Sequence, residues 1–330
     1  MKNKLFKVNI SEEEVRNEGF LPMLLASVSL FLTLLAAVID KFIYPFGGDM
    51  LSPAIAQIII LLIPAYLCVM LTSYGRSSFE QIKSLGIGKL HAEYIFFMIF
   101  TAMFTITTSL LLDMVFCGVV PASRGFTLLA AFTAGVGEYT VSYPYIILVY
   151  AIFPAIVEEF VFRGVIFGEL RKISVPFAIC VSSLLYALFS FAPSKLPSAL
   201  FAGSVYCFIL ITSNSLQSCM IVHFCYNIFS LFLGTNISAY FLSSQSRALL
   251  IITVIAAWLI SASLFFAESS RIFRARSAKS SANSFDFIKV FRIRNIWQDS
   301  LSACLFKPTL ICGIACIVLY MAIMIVCLFA

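Results

Sequence analysis

The chain has 330 residues, 61% of them hydrophobic and 12% charged, with mean hydropathy +1.02 and a formal net charge of +6. Soluble domains carry about 25% charged and about 45–50% apolar residues, so this composition cannot cover a water-facing surface. A soluble enzyme, a nucleic-acid-binding module and a disordered chain are excluded; the expected fold is all-α, a polytopic transmembrane helical bundle.

In chain order, residues 1–20 form a polar segment containing Glu12, Glu13 and Glu14. The apolar run after it is too long for the core of a cleavable signal. Nine apolar segments follow, at 21–44, 51–73, 93–120, 143–168, 175–192, 197–213, 215–234, 248–267 and 308–330. Most approach the roughly 20 residues that carry a helix across a hydrocarbon core of about 30 Å. The fifth and sixth are short, as tilted or partly buried helices would be. Gly47-Gly48, Pro121, Pro193 and Pro197 punctuate the segments as helix ends require. The stretch 125–137 is apolar but too short to cross. The division expected is a cytoplasmic segment 1–20, N-terminal transmembrane helices 21–142, a core 143–235, an eighth helix in 236–267, a basic cytoplasmic loop 268–307 and a last helix 308–330.

Orientation follows from Lys and Arg counted loop by loop. An N-terminus inside places Lys2, Lys4, Lys7, Arg16, Arg76, Lys83, Lys89, Arg171 and Lys172 in the cytoplasm, with the eight basic residues of 268–307. Only Lys41, Arg124, Lys195 and Arg247 then lie outside. The expectation is N-in, C-out. The loop 268–307 combines its basic residues with Phe285, Phe287, Ile288, Phe291 and Trp297. It reads either as a surface helix on anionic lipid or as a solvated basic connector. The cysteines lie almost all in or beside apolar runs and form no C-x-x-C pair; they read as small apolar residues.

Charges inside a bilayer are costly and mark function. Glu158 and Glu159 lie about 22–24 Å from the outer end of the fourth segment at 1.5 Å per residue, with Arg171 about 18 Å further on. Glu159 and Arg163 are four residues apart on one helical face and can pair. Glu158 points about 100° away and lacks a local cation, which suits a proton-accepting or proton-donating role. Gly164 and Gly168 form a small-xxx-small face for a neighbouring helix. On the seventh segment His223 and Asn227 project from one face and offer donors to a developing oxyanion. Asp113, nearer the outer end of the third segment, is expected to pair or reach the interface; Glu93 and Glu138 are expected to be interfacial and His91 solvated.

These residues, in this order, resemble the CPBP family of intramembrane proteases, also called the CAAX-protease and bacteriocin-processing or ABI family. Its E-E-x-x-x-R motif is matched by Glu158-Glu159-Phe160-Val161-Phe162-Arg163, and its H-x-x-x-N motif by His223-Phe224-Cys225-Tyr226-Asn227. Between them Thr212-Ser213-Asn214-Ser215-Leu216 resembles that family's T-G-S-L turn. The resemblance spans 143–235 and implies a CPBP-like catalytic core there. It implies that Glu158 activates a water, that Glu159 and Arg163 support it, and that His223 and Asn227 line the oxyanion site. The family's F-x-x-x-H motif is represented by Tyr186-Ala187-Leu188-Phe189-Ser190, so Tyr replaces Phe and Ser190 replaces the histidine. A serine hydroxyl can position a water but cannot take its proton near neutral pH. General-base assistance is worth about 10²–10⁴-fold, and the histidine that normally shares it is missing.

The implied activity is that of an intramembrane endopeptidase of the cell membrane, acting on a membrane-associated peptide or protein. The alternatives are a pseudoprotease that binds membrane partners and a proton-coupled transporter. Transport would be favoured by an inverted repeat or broken helix pairs, and neither is evident in the sequence. With two histidines in the chain and no H-E-x-x-H, neither a metal nor a cofactor is expected.

Overall fold

The computed structural model describes residues 54–55, 57–72, 92–117, 143–171, 175–189, 195–242 and 246–279, with Val28 and Leu90 as isolated positions. The segment 1–20, most of the first apolar segment, the stretch 125–137, the ninth segment and everything beyond Lys279 lie outside the described residues. So do His91, Glu138 and Ser190. Among the described residues every regular element is helical.

Helix α1 is Ile63–Thr72, led by a π-turn at Ile58–Leu62. Helix α2 is Ile95–Cys117. Helix α3 is the continuous helical rod 143–170, alternating α and π winding. Helix α4 is Val175–Leu188, α5 is Leu196–Ser213, α6 is Leu216–Leu242 and α7 is Arg247–Lys279. Four stretches, Ala92–Phe116, Leu196–Ser213, Leu216–Leu233 and Arg247–Ala275, are long and apolar enough to cross a bilayer. At 1.5 Å per residue the α3 rod is roughly 40 Å long. The short fifth segment is the 14-residue α4, buried on most of its positions. Helix α7 runs on past 267 to Lys279, with Glu268, Ser269 and Ile272 buried. The expected boundary of the cytoplasmic loop therefore falls inside a helix that still packs on the bundle.

Apolar side chains line the outside as well as the core. Leu249, Ile252, Leu259, Ile260 and Phe266 of α7 are all more than half exposed. Such a stripe suits hydrocarbon and not water. Because lipid is as apolar as leucine, helices in a membrane associate through close packing and polar contacts. Between α2 and α7, Phe104 stacks on Phe265 with centroids 4.7 Å apart. There too the Trp258 indole N–H donates to Thr108 Oγ1 at 3.0 Å, and the Thr107 and Ser261 hydroxyls meet at 2.9 Å.

The turn from α5 to α6 is set by Asn214, whose φ of 51° is left-handed. A left-handed residue after the last helical turn, usually Gly or Asn, stops a helix and reverses the chain. Its N–H donates to Leu210 O at 2.8 Å, and the Ser213 hydroxyl accepts from the Ser215 N–H at 3.2 Å. This turn brings α6, with the His223 motif, alongside α5 and the middle of α3. Asp113 is paired with Lys195. That contact ties the C-terminal end of α2 to the start of α5.

Candidate active site

The α3 rod is wound irregularly where its polar residues sit. Pro154 has no N–H and so removes one rung of the helical ladder. The turn before it, Leu148–Ile152, is a π-helix. A second π-helix, Phe160–Phe167, begins directly after Glu159 and contains Arg163. π-Windings are uncommon and recur at functional sites. Here they turn the side chains of Glu158, Glu159 and Arg163 within a few residues of chain.

Glu159 and Arg163 are both fully buried, and Glu159 Oε1 lies 3.3 Å from Arg163 Nη1. The same Oε1 is 2.8 Å from His223 Nδ1. One carboxylate thus links a cation on its own helix to an imidazole on α6. With Nδ1 committed to Glu159, the ring turns Nε2 toward Glu158, whose Oε2 is 3.8 Å away. The Glu158 side chain keeps 26% of its surface exposed, against 2% for His223. Asn227, one turn beyond His223, donates from Nδ2 to Ala151 O at 3.3 Å. That contact leaves the second N–H of its amide for another acceptor. All five described site candidates, Glu158, Glu159, Arg163, His223 and Asn227, are thus gathered between the middle of α3 and α6. The Glu159–His223 contact was not anticipated, since helical spacing relates residues on one helix only.

Two tyrosines complete the wall. Arg163 lies over the rings of Tyr186 and Tyr206, its guanidinium carbon 4.4 and 5.0 Å from their centroids. Arg163 Nη2 donates to Gly203 O at 3.1 Å. The Tyr206 ring stacks on the His223 imidazole at 5.1 Å, and the Tyr186 hydroxyl is 3.4 Å from His223 Nε2. Sequence reasoning passed over Tyr206 and took Tyr186 only as a substitute for Phe. The available signal was chemical: a tyrosine inside an apolar helix needs a partner for its hydroxyl. The helix-approach face was only half foreseen. A Cβ on Gly164 would meet Leu216 of α6 at 3.5 Å, but on Gly168 it would meet only the Arg163 carbonyl of its own helix. Among the described glycines the closest approach is at Gly203, where a Cβ would stand 3.0 Å from Ser183 Cα of α4.

Some of the buried polar atoms without a hydrogen-bond partner among the described residues lie at this centre. They include Glu159 Oε2, Arg163 Nε and the Tyr206 hydroxyl. Among the described residues no group of three His, Cys, Asp or Glu side chains is arranged to hold a metal ion. What the cluster offers is acid–base chemistry: a part-exposed carboxylate, an imidazole whose Nε2 faces Glu158 and the Tyr186 hydroxyl, and amide and phenol donors.

An all-α membrane protein whose buried charges meet at one glutamate–arginine–histidine centre is the class that fold and site define. Residues 140–229 match the family model described as type II CAAX prenyl endopeptidase Rce1-like. The matched stretch carries both motifs, so this part of the chain is similar to CAAX-type proteases, and the apolar helices are those of a membrane protein. No curated protein and no solved structure matches the chain significantly.

Proposed function

We propose that this protein is an intramembrane endopeptidase in which Glu158 activates water to hydrolyse a peptide bond of a membrane-associated peptide or protein. The observation that carries the reading is the shared carboxylate of Glu159, 2.8 Å from His223 and 3.3 Å from Arg163, with Glu158 beside the remaining imidazole nitrogen. Glu158 takes a proton from water, and the resulting hydroxide oxygen bonds to the carbonyl carbon. The carbonyl π electrons move to oxygen, where Asn227 and the His223 Nε2–H donate to the oxyanion. When the oxyanion collapses the C–N bond breaks, and the proton held by Glu158 passes to the leaving nitrogen. Glu159 and Arg163 do not touch the reacting atoms; they hold the imidazole. Ser190 would help to position the water in place of the histidine the family carries. The protein sits in the cell membrane as a multi-pass chain, N-in and C-out, with the basic stretch 268–307 on anionic lipid.

The test is cleavage of a library of membrane-associated peptides by the purified full-length protein in lipid nanodiscs, read by mass spectrometry beside Glu158→Gln. Loss of general-base assistance should slow product formation by about 10²–10⁴-fold. Equal product from both proteins removes Glu158 as the base; no product from the wild type removes the peptidase reading.

A further inference from the structure

We propose that Tyr186 is a positioning residue of this site, its hydroxyl acting through His223 Nε2 as a partner that serves both protonation states of the imidazole. The functional half of this inference rests on the peptidase reading above; the contact itself does not. Nδ1 of His223 is held by Glu159 at 2.8 Å, so Nε2 is the nitrogen whose state can change. Among the described residues two polar atoms face it: Glu158 Oε2 at 3.8 Å and the Tyr186 hydroxyl at 3.4 Å. A carboxylate only accepts hydrogen bonds, whereas a phenol donates and accepts. Toward a bare Nε2, the carboxylate of Glu158 sets lone pair against lone pair, while Tyr186 donates its O–H. Toward an Nε2–H, the phenol oxygen accepts. Phenylalanine, the residue the resembled family carries here, does neither.

The ring is held for this task. Arg163 lies 4.4 Å over its face, Phe162 packs edge-on at 5.5 Å and Tyr206 at 6.1 Å. Clamped in this way, the hydroxyl loses little freedom when it engages Nε2. The guanidinium over the ring face also holds the ring in place by cation–π attraction. In the hydrolysis the attacking water gives its proton to Glu158, and Tyr186 keeps its own throughout.

The chain has two histidines, His91 and His223, so a His91→Gln protein labelled with heavy-nitrogen histidine reports one imidazole by NMR in nanodiscs. In that background Tyr186→Phe should move the Nε2 resonance toward that of an unbonded nitrogen, imine where the ring is neutral and N–H where it is protonated, with the thermal midpoint unchanged. In the peptide assay kcat should fall about tenfold with KM unchanged, as expected for one lost hydrogen bond. An identical imidazole signal in both proteins overturns the proposal whatever activity does. A moved signal with unaltered kcat overturns the positioning role. If the wild type cleaves nothing, the peptidase reading and the role fall together, and the imidazole signal still decides the contact. Should the Phe variant not fold, protein grown on fluorotyrosine replaces it: a resonance that stays in place then overturns the proposal.

Discussion

Arg163 shows how a full positive charge persists at zero exposure. Its guanidinium has a carboxylate at 3.3 Å, a carbonyl at 3.1 Å and two tyrosine rings within 5.0 Å. The planar fork suits that combination in a way a lysine ammonium does not. Breaking such a buried pair from one side strands the other charge and costs about 3–5 kcal/mol. Arg163→Met should therefore lower stability by that order in detergent unfolding, and adding Glu159→Gln should recover part of the loss. If the double variant is no more stable than the single one, the pair does not bear on stability as argued. The pair was legible in the sequence because helical spacing alone puts Glu159 beside Arg163. Their link to His223 was not, because Glu159 and His223 are 64 residues apart. Nor could sequence position say which nitrogen of His223 faces Glu158.

At the scale of helices, the site depends on how closely α4 and α5 approach. Gly203 is the contact point: an added Cβ would stand 3.0 Å from Ser183 Cα, 3.2 Å from Ser183 Cβ and 3.3 Å from Tyr186 Cδ1. Ser204, next in line, meets Ser183 through its hydroxyl at 3.2 Å. Gly203→Ala should push the helices apart, shift the Tyr186 ring and lengthen the Arg163 contact to the Gly203 carbonyl. The expected loss is about 1–3 kcal/mol, typical of overpacking, with reduced cleavage. Gly168→Ala is the comparison, since its Cβ would meet nothing nearer than the Arg163 carbonyl at 3.7 Å. It should be neutral or slightly stabilising through helix propensity. Equal unfolding midpoints for the two variants would refute the close-contact argument. Sequence reasoning picked Gly164 and Gly168 from their i, i+4 spacing. Nothing in a spacing rule singles out Gly203, whose importance comes from the neighbouring helix.

Over the whole molecule, contacts at the two ends of α2 relate the sides of the bundle. Asp113 near its C-terminal end pairs with Lys195, and Arg271 of α7 donates to Glu93 O beside its start at 3.3 Å. Both contacts join segments that the Lys and Arg count assigns to one common side. They relate sides to one another only, because inverting the whole molecule leaves every contact unchanged. Absolute orientation comes from the charge count, and a protease-cleavable tag inserted within 280–300 checks it. The tag should resist an impermeant protease in intact cells and be cut in inverted vesicles; cutting in intact cells would reverse the assignment. The helical membrane class was written in composition and run length, because hydrocarbon admits only backbone that satisfies its own hydrogen bonds. The identity of the polar cluster was written there too, since charges in an apolar run are few and conspicuous. The tertiary structure alone decided that the cluster closes around one carboxylate, that two tyrosines flank its cation, and that α7 extends past its apolar stretch. Each of these depends on distances between residues far apart in the chain, which a local pattern does not carry.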